Sequence, residues 1–336
     1  MNKILYVGND LVHKTGYFSA MEKLYLGLTD EGYNIKKVSS KKNPLIRLLD
    51  MIIKVTKFRN WVDIVFIDTF STTSFYYAFV ISQLCRVFKI KYVPILHGGN
   101  LPSRLDKSKK LSQLIFGNSF CNVSPSQYLK HEFEERGFSC SLIPNSIELS
   151  ELPYKQRQLI QPKLLYVRAF AEIYNPSMAI RVLKILKNKY PNASLCMIGP
   201  DKDGTLEKTK DLIKNLNLYN SVEITGILNR HEWYRKSEDY DIFINTTNID
   251  NTPVSIIEAM ALGIPVVSTN VGGMPYLIDH DIDGVLIEKN NDKEMTEAII
   301  EMIETNNLSL SIKAREKVEN YSWDVVKSKW FELLSY

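Results

Sequence analysis

One alternation runs twice along this 336-residue chain, with a single break between the two runs. Short apolar segments are each followed by a longer amphipathic one, the sequence form of successive βα units on a parallel sheet. In the first run Lys3–Val7 (KILYV) reads as a strand. Met21, Leu24, Tyr25 and Leu28 then recur at helical spacing, and further strand signals lie at Ile35–Val38, Ile64–Ile67, Tyr92–Leu96, Cys121–Val123 and Leu142–Ile143. The pattern fails from Ile147 to Pro162, where Pro153, Gln156, Gln158, Gln161 and Pro162 interrupt any periodicity. It resumes at Lys163–Val167 and continues through Ser194–Ile198, Val222–Thr225, Asp241–Asn245, Pro265–Thr269 and Gly284–Ile287, with helices expected over Ser177–Lys189 and Pro253–Leu262. The expected fold is therefore α/β, with two Rossmann-like parallel-sheet domains facing each other across a cleft. The first would span 1–150 and the second 163–320, with 151–162 as linker. In 321–336, Trp323, Val326, Trp330 and Leu334 share a helical face, so this segment should pack back on the N-terminal domain. Ligands of such sheets bind at the carboxyl ends of the strands.

Charge and cysteine usage narrow the function. Forty-two basic against 38 acidic side chains leave a net charge of +4, too little for a protein that coats nucleic acid. With 45% hydrophobic residues the chain has ample material for a core, which excludes disorder and collagen-like repeats. Cys85, Cys121, Cys140 and Cys196 are scattered with no Cys-x-x-Cys pair, the signature of free thiols in a reducing compartment and not of a zinc site or disulfide frame. Asp201 and Asp203 lack further ligands, so no metal site is expected. The sequence MNKILYVGND enters a strand directly, without a leader pattern. The apolar stretch Phe75–Cys85 is far shorter than the roughly 20 residues needed to span a bilayer. The expected location is cytoplasmic, at most peripheral on the inner face of the plasma membrane. Pro44–Lys57 bears on that last point, with Leu45, Leu48, Leu49, Ile52 and Ile53 on one face and Lys41, Lys42, Arg47, Lys54, Lys57 and Arg59 on or beside the other. A basic amphipathic helix of this kind in 41–59 can lie on anionic lipid, or simply pack on the sheet.

The stretch from Asn245 to Gly273 carries most of the chemical information. A strand feeds a polar loop, Thr252 is suited to cap a helix and Pro253 to open it. The amides of about residues 253 to 255 would then form a site for a phosphate or diphosphate. Asp250 and Glu258 flank that site. Carboxylates beside bound phosphate are useful where they hold hydroxyls, as on a ribose or hexose; otherwise they are solvated helix and loop charges.

This stretch resembles the C-terminal signature of glycosyltransferase family 4, a retaining family of GT-B fold. The family's Glu-x7-Glu, its Pro three residues after the first Glu, its Ala-rich helix, Gly-x-Pro-Val-Val and Gly-Gly are matched by Asp250-x7-Glu258, Pro253, Glu258-Ala259-Met260-Ala261, Gly263-Ile264-Pro265-Val266-Val267 and Gly272-Gly273. The resemblance implies a GT-B architecture and transfer of a sugar from a nucleotide-diphosphate donor, most simply a UDP-sugar. The acceptor would be a hydroxyl of a glycan or lipid-linked molecule in surface polysaccharide or glycoconjugate synthesis, with no cofactor beyond the donor. It further implies that Glu258 holds the donor ribose, that Asp250 takes the place of the first Glu at the sugar, and that Arg168 meets the diphosphate. Asn251, Thr252, Pro253 and Val254 would complete the donor site, with Gly16 in the loop after the first strand. His97, at a strand's carboxyl end, would lie near the reacting sugar, making His97, Arg168 and Asp250 the catalytic set. The sequence departs from the family at Ile173, where a Lys is usual; Lys14 or Lys202 could supply that charge. A nucleotide-sugar epimerase, or an inactive relative serving as a binding subunit, fits the same architecture.

Overall fold

The computed structural model describes residues 2–8 and 20–335; Gly16 and Lys14 lie outside the described residues. The chain divides into two compact units, one formed by Met1–Ile147 with Tyr321–Tyr336 and the other by Glu148–Asn320. The first holds β1 (Lys3–Val7), α1 (Ala20–Asp30), β2 (Asn34–Val38), α2 (Pro44–Phe58), β3 (Ile64–Thr69), α3 (Ser74–Val87), β4 (Lys91–Leu96), α4 (Leu101–Lys107), α5 (Lys109–Phe116), β5 (Asn122–Ser124), α6 (Gln127–Glu134) and β6 (Cys140–Leu142). The second holds β7 (Lys163–Val167), α7 (Pro176–Leu186), β8 (Ser194–Ile198), α8 (Thr205–Asn215), β9 (Val222–Gly226), α9 (Arg230–Ser237), β10 (Ile242–Asn245), α10 (Val254–Ala261), β11 (Val266–Thr269), α11 (Met274–Leu277), β12 (Val285–Ile287), α12 (Asp292–Thr305) and α13 (Ser309–Glu319). Helix α14 (Trp323–Leu334) belongs to the first unit again.

Each unit is built on a six-stranded parallel sheet, ordered β2-β1-β3-β4-β5-β6 in the first and β12-β11-β10-β7-β8-β9 in the second. The strands are short and apolar because helices cover both faces; β3 is buried along its whole length. Strand periodicity sorts β1 between two cores. Ile4 and Tyr6 point toward α1 and α14, where Met21, Leu24, Leu28, Val326 and Trp330 close the layer. Leu5 and Val7 point the other way, onto Met51 and Val55 of α2 and Ala78 and Ile81 of α3. In the second unit Leu164, Tyr166, Ile242 and Ile244 pack against Met178, Val182 and Leu183 of α7 and Met295 and Ile299 of α12.

One local reading is corrected. Thr252 does not cap α10: Pro253 occupies the cap position in extended geometry (φ −66°, ψ 122°) without a side-chain hydrogen bond. Having no N–H, it also leaves only Val254 and Ser255 as amides outside the helix's own bonding, since Ile256 N–H already donates to the Pro253 carbonyl at 3.1 Å. The aperiodic stretch 151–162 carries a buried arginine. Arg157, 3% exposed, donates to the carbonyls of Tyr240 (2.7 and 3.0 Å), Gly263 (2.9 Å) and Ser237 (3.1 Å) and lies 3.4 Å from Asp241. Polar residues that look like linker thus anchor the second unit's entry.

Helix α14 supplies a test of the first unit's core. Trp330 is buried against Phe66, ring centroids 5.3 Å apart. Trp330→Ala should cost about 3–5 kcal/mol of stability, read as a lower urea midpoint with an unchanged slope; an unaltered midpoint would remove α14 from the core.

Candidate functional site

A parallel sheet wound in both directions from its first strand leaves a gap at that strand's carboxyl end, where no crossover covers it. In the second unit this switch point lies between β7 and β10, and Arg168 directly follows β7. Its guanidinium lies over the Tyr174 ring, 4.4 Å from the centroid, and one terminal nitrogen, Nη2, is ion-paired with Asp250 Oδ2. Burial pulls the Arg168 pKa down from its ordinary value, with Tyr174 and Tyr166 opposing, yet an arginine so shifted stays charged. Its Nε is buried with no hydrogen-bond partner among the described residues. The guanidinium is therefore pinned on one edge and one face, with a donor left over.

The polar run after β10 divides into stitching and presentation. Thr246 Oγ1 donates to the carbonyls of Tyr174 (3.0 Å) and Asn175 (2.8 Å), and Asn248 N–H to that of Ile173 (2.7 Å). These bonds hold the 172–175 turn, and with it Tyr174, against the strand end. Asp250 accepts from the Asn251 amide at 2.9 Å through the oxygen not engaged by Arg168. Gly272 and Gly273 let the next loop close on this one: a Cβ on Gly273 would lie 1.8 Å from the Asn251 carbonyl oxygen, and on Gly272, itself at φ +55°, 2.1 Å from that of Asp250. The Gly273 amide bonds to the same Asp250 carbonyl at 2.9 Å.

Glu258 sits one turn into α10, 7% exposed, and so is not a solvated helix charge. Tyr234 Oη donates to its Oε1 at 2.9 Å, and Arg230 Nε lies 3.6 Å from the same oxygen. Burial beside this carboxylate raises the Tyr234 pKa well above the ordinary tyrosine value. Asn251 and Pro253 are buried, Thr252 half-buried and Val254 exposed. Ile173, at the position where a cation is usual, is 46% exposed and carries none; Lys202 is exposed in the loop after β8. Asp201 and Asp203 accept the amides of Gly204 (3.0 Å) and Glu172 (3.0 Å). Among the described residues no three His, Cys, Asp or Glu side chains cluster as metal ligands.

The first unit has its own switch point between β1 and β3. There His97, at the end of β4, places Nε2 2.9 Å from Asp68 Oδ1, which also accepts from Tyr6 Oη at 2.9 Å. The imidazole stacks on Phe70, centroids 4.8 Å apart, and its backbone N–H donates to Thr69 at 2.8 Å. A neutral His97 that donates through Nε2 presents Nδ1 as an acceptor. Gly8 leaves space for this carboxylate, since a Cβ there would lie 2.4 Å from Asp68 Oδ2.

Arg168, Asp250 and Asn251 are thus linked after β7 and β10 of the second unit, Glu258 lies in the helix that follows, and His97 belongs to the first unit. Sequence reasoning missed Tyr174, Arg230, Tyr234, Asp68 and Tyr6. Asp68 had a readable signal, an acid at the end of an otherwise apolar strand; the other four read as ordinary helix, turn or strand residues.

The family model of the group 1 glycosyl transferases matches residues 154–322. The amylovoran biosynthesis glycosyltransferase AmsK of Erwinia amylovora is 27% identical over 264 residues, covering 73% of this chain and 64% of the relative. The putative colanic acid biosynthesis glycosyltransferase WcaL of Escherichia coli is 32% identical over 137 residues, covering 38% and 34%. The aligned part of this chain thus spans from 34% to 64% of the length of these curated relatives. The crystal structure of HepE from Anabaena in complex with UDP superimposes with a TM-score of 0.76 at 17% identity, covering 99% of both chains. That likeness gives the fold, the two-domain GT-B type.

The glycine contact is testable by itself. Gly273→Ala should destabilise by about 1–3 kcal/mol, because the loop bearing Asp250 and Asn251 must move to admit the methyl group. A thermal melt that matches the parent would show the loops to be less tightly coupled.

Proposed function

The chain belongs to the group 1 glycosyl transferases, and from that premise we propose that it moves a sugar from a nucleotide-diphosphate donor, a UDP-sugar, to a hydroxyl of a glycan or lipid-linked acceptor, with retention at the anomeric carbon. The observation that carries this reading is the Arg168 guanidinium, held by Asp250 and Tyr174 with its buried Nε unpartnered among the described residues. Guanidinium is suited to a diphosphate because it keeps its charge and offers a planar set of donors. The role in surface polysaccharide synthesis is supported by the relatives named for amylovoran and colanic acid. The choice of UDP is supported by the structural neighbour crystallised with it.

In this reading the bond from the anomeric carbon to the diphosphate oxygen breaks and the acceptor oxygen bonds to the same face. The leaving phosphate takes the acceptor proton. Arg168 and the amides of Val254 and Ser255 stabilise the charge that develops on the diphosphate, a preorganised arrangement that needs no reorientation during reaction. Arg168 and Asp250 together are neutral, so further positive potential must come from those amides and from a cation such as Lys202. Glu258 accepts from the ribose hydroxyls, its orientation set by Tyr234 and Arg230. Asp250 meets the sugar through the carboxylate edge that Arg168 releases or shares. His97, held by Asp68, serves the reacting sugar as a hydrogen-bonding group.

Calorimetry with UDP tests the donor site. Glu258→Ala should lose about 1.5–3 kcal/mol of binding free energy, and Glu258→Gln, which keeps the shape, should lose less. Unchanged affinity in the alanine variant would overturn the assignment. Arg168→Ala should lower acceptor-dependent UDP release by at least roughly a hundredfold while leaving the protein folded; a normal rate would remove Arg168 from the chemistry. The anomeric configuration of the product, read by proton NMR, tests retention.

A further inference from the structure

We infer that the outward face of α2 is a docking surface for an anionic lipid bilayer. The helix is apolar on two sides for two different reasons. Met51 and Val55 are buried on the sheet with Leu48 and Ile52 packed beside them. Leu45, Ile46, Leu49 and Ile53 point away and are 74%, 53%, 58% and 61% exposed. At 3.6 residues per turn these four fall within an arc of roughly 100°, in a stripe about 12 Å long. No other described helix or strand contributes more than two exposed large apolar side chains, and single ones need no explanation. Four on one helix do.

Charge says what covers them. Lys57 lies after the stripe at its edge, Lys41 and Lys42 precede the helix and Arg59 follows it, all four exposed. The only acid of α2, Asp50, is half-buried on the flank. Arg47 is not part of this set: its guanidinium turns back to the carbonyls of Lys41 (2.7 Å) and Lys42 (3.1 Å), bracing the basic segment that precedes the helix. Asn43 caps α2 by accepting from the amides of Leu45 (2.9 Å) and Ile46 (3.3 Å), so the stripe is presented on a fixed helix. An apolar strip ended by lysines matches a bilayer interface, with side chains reaching the acyl boundary and ammonium groups among the phosphates. None of the described helices is long and apolar enough to cross a membrane. This inference does not depend on the reaction proposed above.

Flotation of the full chain with vesicles tests it without any activity measurement. Vesicles of phosphatidylcholine with roughly one-third phosphatidylglycerol should carry the protein, and pure phosphatidylcholine should carry at least roughly tenfold less. Leu49→Glu with Ile53→Glu should reduce partitioning by at least roughly tenfold with an unchanged thermal melt. Lys42→Ser and Lys57→Ser should each reduce it by up to roughly fivefold, with the effect fading at high salt. Leu49→Trp should shift its emission to the blue on anionic vesicles only. The proposal is overturned if anionic vesicles leave the protein behind, or if the double glutamate variant binds as well as the parent. It is equally overturned if the parent ignores vesicles but forms a dimer that the glutamates abolish, which would assign the face to a second copy of the chain.

Discussion

Everything in this molecule that bears on chemistry depends on a property of parallel sheets. Strands that all point one way collect their carboxyl ends on one edge, and a sheet extended to both sides of its first strand cannot cover that edge completely. Each unit places a cluster of ionisable groups beside such an opening. In the first, Asp68 ends the strand next to β1 and gathers Tyr6 and His97. In the second, Arg168 leaves β7 and meets the loop that leaves β10. The remaining side chains of both regions keep these groups where the sheet has put them.

The second unit does so by surrounding a half-buried cation on several sides. A guanidinium withdrawn from water needs compensation, and Arg168 obtains it from Asp250 and the Tyr174 ring. Those partners are fixed in turn: Tyr174 by Thr246 through its carbonyl, Asp250 by the glycine loop packed on its backbone. Glu258 follows the same logic with opposite sign, paired with Arg230 and bonded by Tyr234. A half-buried cation after β7 and a buried carboxylate in α10 suit a ligand that is anionic at one end and hydroxylated at the other.

The twelve strands of the described residues were legible in the sequence because their apolar runs are short, rich in β-branched residues and bounded by turns. Their ends moved by a residue or two: β3 extends to Thr69, beyond the apolar run that marks it. The motif residues Arg168, Asp250 and Glu258 were legible as candidates, since their spacing from strand ends is local information. Their partners were not. Tyr174, Arg230 and Tyr234 reach the site only through tertiary packing, and no periodicity distinguishes a tyrosine that holds a carboxylate from one that fills a core. Arg157 was missed for the same reason, since most of its carbonyl partners lie about 80 or more residues further on. For α2 the hydrophobic pattern gave one apolar face where the molecule has two, because a count of apolar positions cannot say which are covered.

The return of α14 to the first unit has a consequence for how the protein comes into being. The second unit is a continuous stretch, Glu148–Asn320, and holds all of its strands within itself. The first is interrupted: its sheet is complete by Leu142, but Val326, Trp330, Leu333 and Leu334, which close one face of that sheet, are synthesised only after the whole of the second unit. During translation the earlier-made half therefore waits with part of one apolar face, beyond what α1 covers, lacking its last layer while the later-made half can finish folding. The order of completion is the reverse of the order of synthesis.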